Sequence, residues 1–107
     1  MKMYHSTSVE NYQSIISDGF LSAPVYLTPS KKTAEEYGAN NSPMFVIIEV
    51  DVDETGFCAD AEFVKGQMEA EEAIEESLSN GSVFIDEDVS VAGHIASHYE
   101  DYEEVGL

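Results

Sequence analysis

Five glutamates crowd one predicted helix: Glu69, Glu71, Glu72, Glu75 and Glu76, within Gln67 to Leu78. Glu71 and Glu75, and Glu72 and Glu76, stand four apart; Glu72 is three from both Glu69 and Glu75. Each like-charge pair at such spacing destabilises an isolated helix by about 0.2–0.5 kcal/mol. No lysine on the helix compensates. Helix neighbours at this spacing lie about 5–6 Å apart, on the scale separating phosphates along a nucleic-acid strand. With Asp86, Glu87 and Asp88 close behind, the set can copy a phosphate row. Most charge runs are solvated faces, but ordinary exposed helices mix signs, so the missing counter-charge favours a binding role.

Three other patterns carry less. Asp51, Asp53, Gly56 and Glu62 fit the spacing of a calcium loop. Thr55 is a poor ligand at the fifth place, Ala59 is none at the ninth, and the preceding segment reads as strand rather than helix, so a solvated turn is expected. His94 and His98 are four apart but lack the glutamate of the metalloprotease pattern, and no metal site is expected. Cys58 stands alone, which excludes an internal disulfide and fits a reducing compartment. There is no glycine-rich phosphate loop and no nucleophile elbow.

The elements that must position these groups can be read from caps and periodicity. Lys2 to His5 reads as a first strand. Ser6, Thr7 and Ser8 offer N-caps for a helix from about Val9 to Asp18, with Val9, Tyr12, Ile15 and Ile16 on one face and Gly19 at its end. Val25 to Leu27 is a short strand. Thr28 and Pro29 predict a helix start, and Gly38 its end after Tyr37. Met44 to Val52 is rich in β-branched residues and predicts a central strand, with Phe45, Ile47 and Glu49 on one side and Val46, Ile48 and Val50 on the other. Residues 54–66 read as irregular. After the glutamate helix, Asn80 and Gly81 form a break, Ser82 to Ile85 a strand, Asp86 to Asp88 a turn, and Val89 to Val91 or Ile95 to Ser97 a further strand. The tail from Glu100 is expected to be acidic and loose. Strands and helices mix without regular alternation, so the fold class is α+β, with one domain over 1–99 and an acidic tail over 100–107.

The order of segments in the first half resembles the ADP-ribosyltransferase superfamily, in the branch of poly(ADP-ribose) polymerases and RNA 2′-phosphotransferases. The resemblance rests on Tyr4-His5-Ser6-Thr7, a helix ending Asp18-Gly19-Phe20, Val25-Tyr26-Leu27-Thr28, Ala34, Tyr37-Gly38, and a strand ending Glu49-Val50-Asp51-Val52. It covers about residues 3–53 and continues weakly to Ile95. It implies a compact split β-sheet with flanking helices. It also implies that His5 hydrogen-bonds a ribose of NAD, that backbone beside it at Ser6 and Thr7 holds the nicotinamide amide, and that Tyr26 or Tyr37 stacks on the nicotinamide ring. His5 and Tyr26 would then be the catalytic residues. The family's late-strand glutamate aligns with Ser82, which carries no charge; Glu76 and Glu87 lie near it in sequence but not at the matching place. Losing one preorganised stabilising group costs about 10²–10³ in rate. NAD also carries an anionic pyrophosphate, and the chain offers it no arginine.

Composition bounds the function. Of 107 residues, 22 are Asp or Glu and four are Lys, for a formal charge of −18. Residues 1–50 hold five acids against three lysines; residues 51–107 hold the other 17 against Lys65 alone. Direct nucleic-acid binding and binding to anionic membranes both need cations that are missing. No apolar run approaches a membrane span and no signal peptide is visible, so a cytoplasmic location is expected, in a bacterial or phage-infected cell. The expected function is a non-catalytic acidic binder without cofactor. It would mimic nucleic acid and occupy the cationic groove of a DNA- or RNA-handling protein through Glu69, Glu71, Glu72, Glu75, Glu76, Asp86, Glu87, Asp88 and the acidic tail. Size and charge suit a phage inhibitor of host defence, such as an anti-CRISPR or anti-restriction factor. The alternative is an active NAD-dependent ADP-ribosyltransferase using His5 and Tyr26. A calcium-dependent or halophilic housekeeping domain is a third reading.

Overall fold

The alternation in Met44 to Val52 dictates the centre of the molecule. The computed structural model describes residues 1–106. Its strand Phe45–Asp51 is β4, counting from β1 (Lys2–Thr7), β2 (Phe20–Leu21) and β3 (Val25–Leu27). It lies between β1 and β8 (Ile95–Glu100), antiparallel to both, and β9 (Glu103–Val105) completes a four-stranded sheet beyond β8. Both faces of β4 are buried, and they serve two cores. Val46, Ile48 and Val50 join Met3, Leu27, Val83 and Ile85 in the main core. Phe45 and Ile47 join Ala34 and Tyr99 in a smaller one beneath α2 (Lys31–Asn41). The expected facing of β4 is what the structure has, with Glu49 half-buried and Asp51 exposed at its end.

A three-stranded sheet, β3–β6–β5, stands beside the first, with β5 at Phe57–Ala59 and β6 at Val83–Ile85. The two are joined where Tyr4 and Thr28 exchange backbone hydrogen bonds of 2.8 and 3.0 Å. A small pair, β2 with β7 (Val89–Ser90), closes one end. The fold is thus α+β, with antiparallel pairing throughout.

The helices form where caps permit. Ser8 caps α1 (Val9–Asp18) by accepting from the Asn11 N–H, and Gly19 at φ 85° ends it. Val9, Tyr12 and Ile15 pack on the main core, but Ile16 stays exposed. The second helix does not start where expected. Thr28 is committed to the bridge with Tyr4, so its backbone continues the strand; Ser30 is the cap, accepting from the Thr33 N–H at 3.2 Å. Nor does Gly38 stop that helix. It sits within α2 because a Cβ there would come within 2.3 Å of the Phe45 ring. A third helix, α3 (Ala70–Asn80), starts three residues later than predicted. Glu69 is its N-cap residue and makes no side-chain capping bond, which leaves Gln67 and Met68 outside.

Two stretches depart further from expectation. Residues 54–66 are partly regular: single turns of 3-10 helix at Glu54–Gly56 and Ala61–Phe63 flank β5. Asp53 and Asp60 cap those turns, so the would-be calcium loop is folded into other work. The acidic tail is not loose over its described length. A turn through Asp101 and Tyr102 brings β9 back along β8, and Glu104 accepts hydrogen bonds from Lys31 at 2.9 Å and from the Tyr99 hydroxyl at 3.1 Å. No helix among the described residues is long and apolar enough to cross a membrane.

Candidate functional site

His5 lies mid-way along β1, opposite Ile48 of β4. Its Nδ1 is 2.8 Å from the Tyr26 carbonyl oxygen. A carbonyl only accepts, so Nδ1 carries the proton, and in the neutral ring Nε2 is left as an acceptor. Burial holds the imidazole below its ordinary range, and the Tyr26 carbonyl opposes this in part. Burial thus favours the neutral ring, which is oriented and whose Nε2 has no hydrogen-bond partner among the described residues. Next along the strand, the Ser6 hydroxyl donates to the Ala34 carbonyl and ties β1 to α2.

Aromatic and polar groups converge beside His5. Tyr26 is 50% exposed and Tyr37 is 40% exposed, so each presents a ring to solvent. Both line one cleft with His5, Ser6, Thr28 and Ser82. Phe84 supports the Tyr26 ring from the neighbouring strand, the centroids 5.6 Å apart. Phase explains the exposure: Val25 and Leu27 point into the core, so Tyr26 between them must face outward. Tyr37 projects from α2 next to Gly38, whose missing Cβ lets the helix lie against Phe45.

The cleft continues past Ser82 to a turn that the sequence did not nominate. Tyr26, Tyr37 and Ser82 share a recess of ≈ 360 Å³ with Asp60, Glu62 and Phe63. Asp60 spends one carboxylate oxygen on the Glu62 N–H at 3.0 Å; Glu62 is exposed. The turn is held from two sides. The buried Ser77 hydroxyl of α3 accepts from the Asp60 N–H at 2.9 Å and donates to the Ser82 carbonyl. The Phe63 ring rests on Gly81, where a Cβ would come within 2.5 Å of it. Carboxylates therefore border the aromatic cleft although Ser82 itself has none. The only signal for this in the sequence was Gly81 beside Ser82, because the recess joins segments about 20 or more residues apart.

On the other side of His5 the lining changes to neutral polar side chains, of which Ser6 gives its hydroxyl proton to Ala34 and Asn41 one amide N–H to Tyr37. Ser6, Ser8, Asn11, Asn41 and Ser42 border a pocket of ≈ 370 Å³ there. The N-terminus of α1 opens beside it, where unsatisfied N–H groups favour an anion. Hydroxyls, amides and a helix end can hold phosphate oxygens without arginine.

The residues nominated as partner-binding are only partly together. Glu71, Glu72 and Glu75 are exposed on α3, and Asp86 and Glu87 are exposed after β6. Glu76 is not on that face: it is half-buried, and its Oε2 is shielded without a hydrogen-bond partner among the described residues. Asp88 is engaged too, accepting from the Ala23 N–H at 2.9 Å. The set is thus interrupted at Glu76, and one oxygen of the exposed Asp88 is engaged. His94 and His98 both contact Tyr12, whose hydroxyl lies 3.0 Å from His94 Nε2, and they tie α1 to the end of the main sheet. Cys58 is reduced and half-buried on β5.

No family model matches the chain, and neither curated proteins nor solved structures gave a significant match.

Proposed function

We propose that the His5 cleft binds a nicotinamide dinucleotide and that the protein is a compact ADP-ribosyltransferase-like enzyme. One observation carries this reading. His5 and both tyrosines that the resemblance offered to stack on the nicotinamide ring, Tyr26 and Tyr37, line one cleft that a carboxylate-bearing turn borders. Exposed tyrosine rings offer flat faces to a nicotinamide ring. The oriented, neutral His5 offers Nε2 to a ribose hydroxyl. The neutral pocket beside the α1 N-terminus receives the pyrophosphate, which answers the lack of arginine. Breaking the nicotinamide–ribose bond builds positive charge on the ribose, and a carboxylate stabilises it. Glu62 takes that part, in place of the glutamate missing at Ser82.

The test is calorimetric titration with NAD, followed by chromatographic detection of released nicotinamide. His5→Ala is expected to abolish binding. Glu62→Gln is expected to preserve binding and to slow nicotinamide release by about 10²–10³. Absence of NAD binding by the unaltered protein ends the proposal.

A second reading applies to a different surface. The uncompensated glutamates of α3, with Asp86 and Glu87, suit a positively charged protein, of the kind that handles nucleic acid. The interruption at Glu76 and Asp88 weighs against strict phosphate mimicry and leaves general electrostatic attraction. Such binding weakens steeply as salt rises; affinity indifferent to salt would remove it.

A further inference from the structure

One stripe of α3 is more than acidic. Glu71, Ile74, Glu75 and Leu78 succeed one another at intervals of three, one and three, the spacing of a single helix face. All four line a groove of ≈ 510 Å³ whose other wall is Glu54 and Thr55, with Phe57 at its base. Ile74 and Leu78 pack on the main core yet remain partly accessible. The groove therefore has an apolar floor and three carboxylates on its rim. Among the described residues no lysine lines it; the Met1 ammonium that borders it is held by Asp51 at 2.8 Å. It shares no lining residue with the His5 cleft.

We infer that this groove seats a cationic amphipathic segment of a partner protein, its apolar side chains on Phe57, Ile74 and Leu78 and its lysines or arginines against Glu54, Glu71 and Glu75. The inference rests on the reading that the acidic half meets a positively charged protein. Charge complementarity selects the occupant. Nucleic acid and acidic peptides are repelled by the rim, and so is a second copy of a chain with a formal charge of −18. The apolar floor adds an attraction that salt does not screen, so binding is only partly salt-sensitive.

The experiment titrates the full chain into three fluorescent 14-residue peptides. One has leucine and lysine in amphipathic helical order, one is oligolysine of equal charge, and one replaces the lysines of the first by glutamate. The amphipathic cationic peptide is expected to bind at least tenfold more tightly than oligolysine, and the acidic peptide not at all. The double reversal E71K/E75K is expected to weaken binding at least tenfold. The equal reversal E36K/E100K, at exposed sites outside the groove, is expected to weaken it less than threefold. Methyl NMR of the unaltered protein reads the site without any variant: Ile74 and Leu78 signals should shift on titration while those of exposed Ile16 and Ile95 stay. Equal binding of oligolysine and the amphipathic peptide, or equal effects of the two reversals, overturns the groove and leaves a diffuse acidic surface. No binding of either cationic peptide overturns both readings.

Discussion

Around His5 most polar groups are held by partners; along α3, among the described residues, Glu76 buries an unpartnered oxygen and like charges crowd one another. The His5 ring is held by the Tyr26 carbonyl, the Ser6 hydroxyl by Ala34, and the Tyr4 and Thr28 backbones by each other. On α3, Glu69 caps nothing, Glu71, Glu72 and Glu75 repel one another, and Glu76 hides an oxygen without a partner. Satisfied groups fix a geometry before a ligand arrives. Unsatisfied and repelling groups weaken the free protein and are relieved by a partner of opposite charge. The proposed nucleotide site thus falls in the region that is fixed beforehand, and the proposed partner surface in the region left strained.

The contrast can be broken most forcefully at its rigid side. Gly38→Ala places a methyl group against the Phe45 ring, which is stacked on Tyr99 with centroids 4.4 Å apart. It is expected to cost about 1–3 kcal/mol in urea unfolding, as overpacked cores do. Glu104→Ala removes the acceptor of the nearly buried Tyr99 and should cost about 1 kcal/mol. If that variant unfolds like the parent, β9 contributes nothing and the segment after Glu100 is a tail after all. On the repelling side the sign reverses. Glu72→Lys converts like-charge pairs with Glu75 and Glu76 into attractive ones, and a gain of about 0.5 kcal/mol is expected in the same assay. A loss there would mean that the glutamates stabilise the helix in some other way.

The smallest effect is the pH dependence at His5. Burial holds its folded pKa below the ordinary 6.5. Below that pH the unfolded chain binds more protons than the folded one, so stability contributed at neutral pH is lost as pH falls through 6.5. Unfolding midpoints measured from pH 7.5 to 5.5 should drop for the parent relative to His5→Gln. A constant gap between the two would show His5 to be freely solvated. Glu104 acts in a separate window. Its carboxyl is held below the ordinary 4.5 by the Lys31 and Tyr99 hydrogen bonds, so its contribution survives to more acid pH and disappears only below that value.

The N-terminal half was legible because its signals are local. Ser8 and Gly19 bracket α1, the period-two pattern of Phe45 to Val50 assigns each side chain its face, and Tyr26 is forced outward between two core residues. What the sequence hid was set by long-range contact. Thr28 looked like a cap until its pairing with Tyr4 made it strand. Gly38 looked like a helix stop, but its role is to admit Phe45. The carboxylates at 60 and 62 come to Tyr26 and Tyr37 only through α3 and Gly81. The residues mark Glu62 only as the last place of a calcium-loop spacing, and nothing in them points it to the tyrosines.

Ser77 has a consequence for how this molecule can change. A single hydroxyl, fully enclosed, fastens the helix, the Asp60 turn and the entrance to β6. Replacing it by alanine would strand one donor and release one acceptor at the same stroke. The solvent-facing side of that helix can therefore change without loosening this joint, while its inner face answers to the architecture around Asp60 and Ser82. One short segment serves two masters, and only the half turned toward solvent can be retuned without disturbing the other.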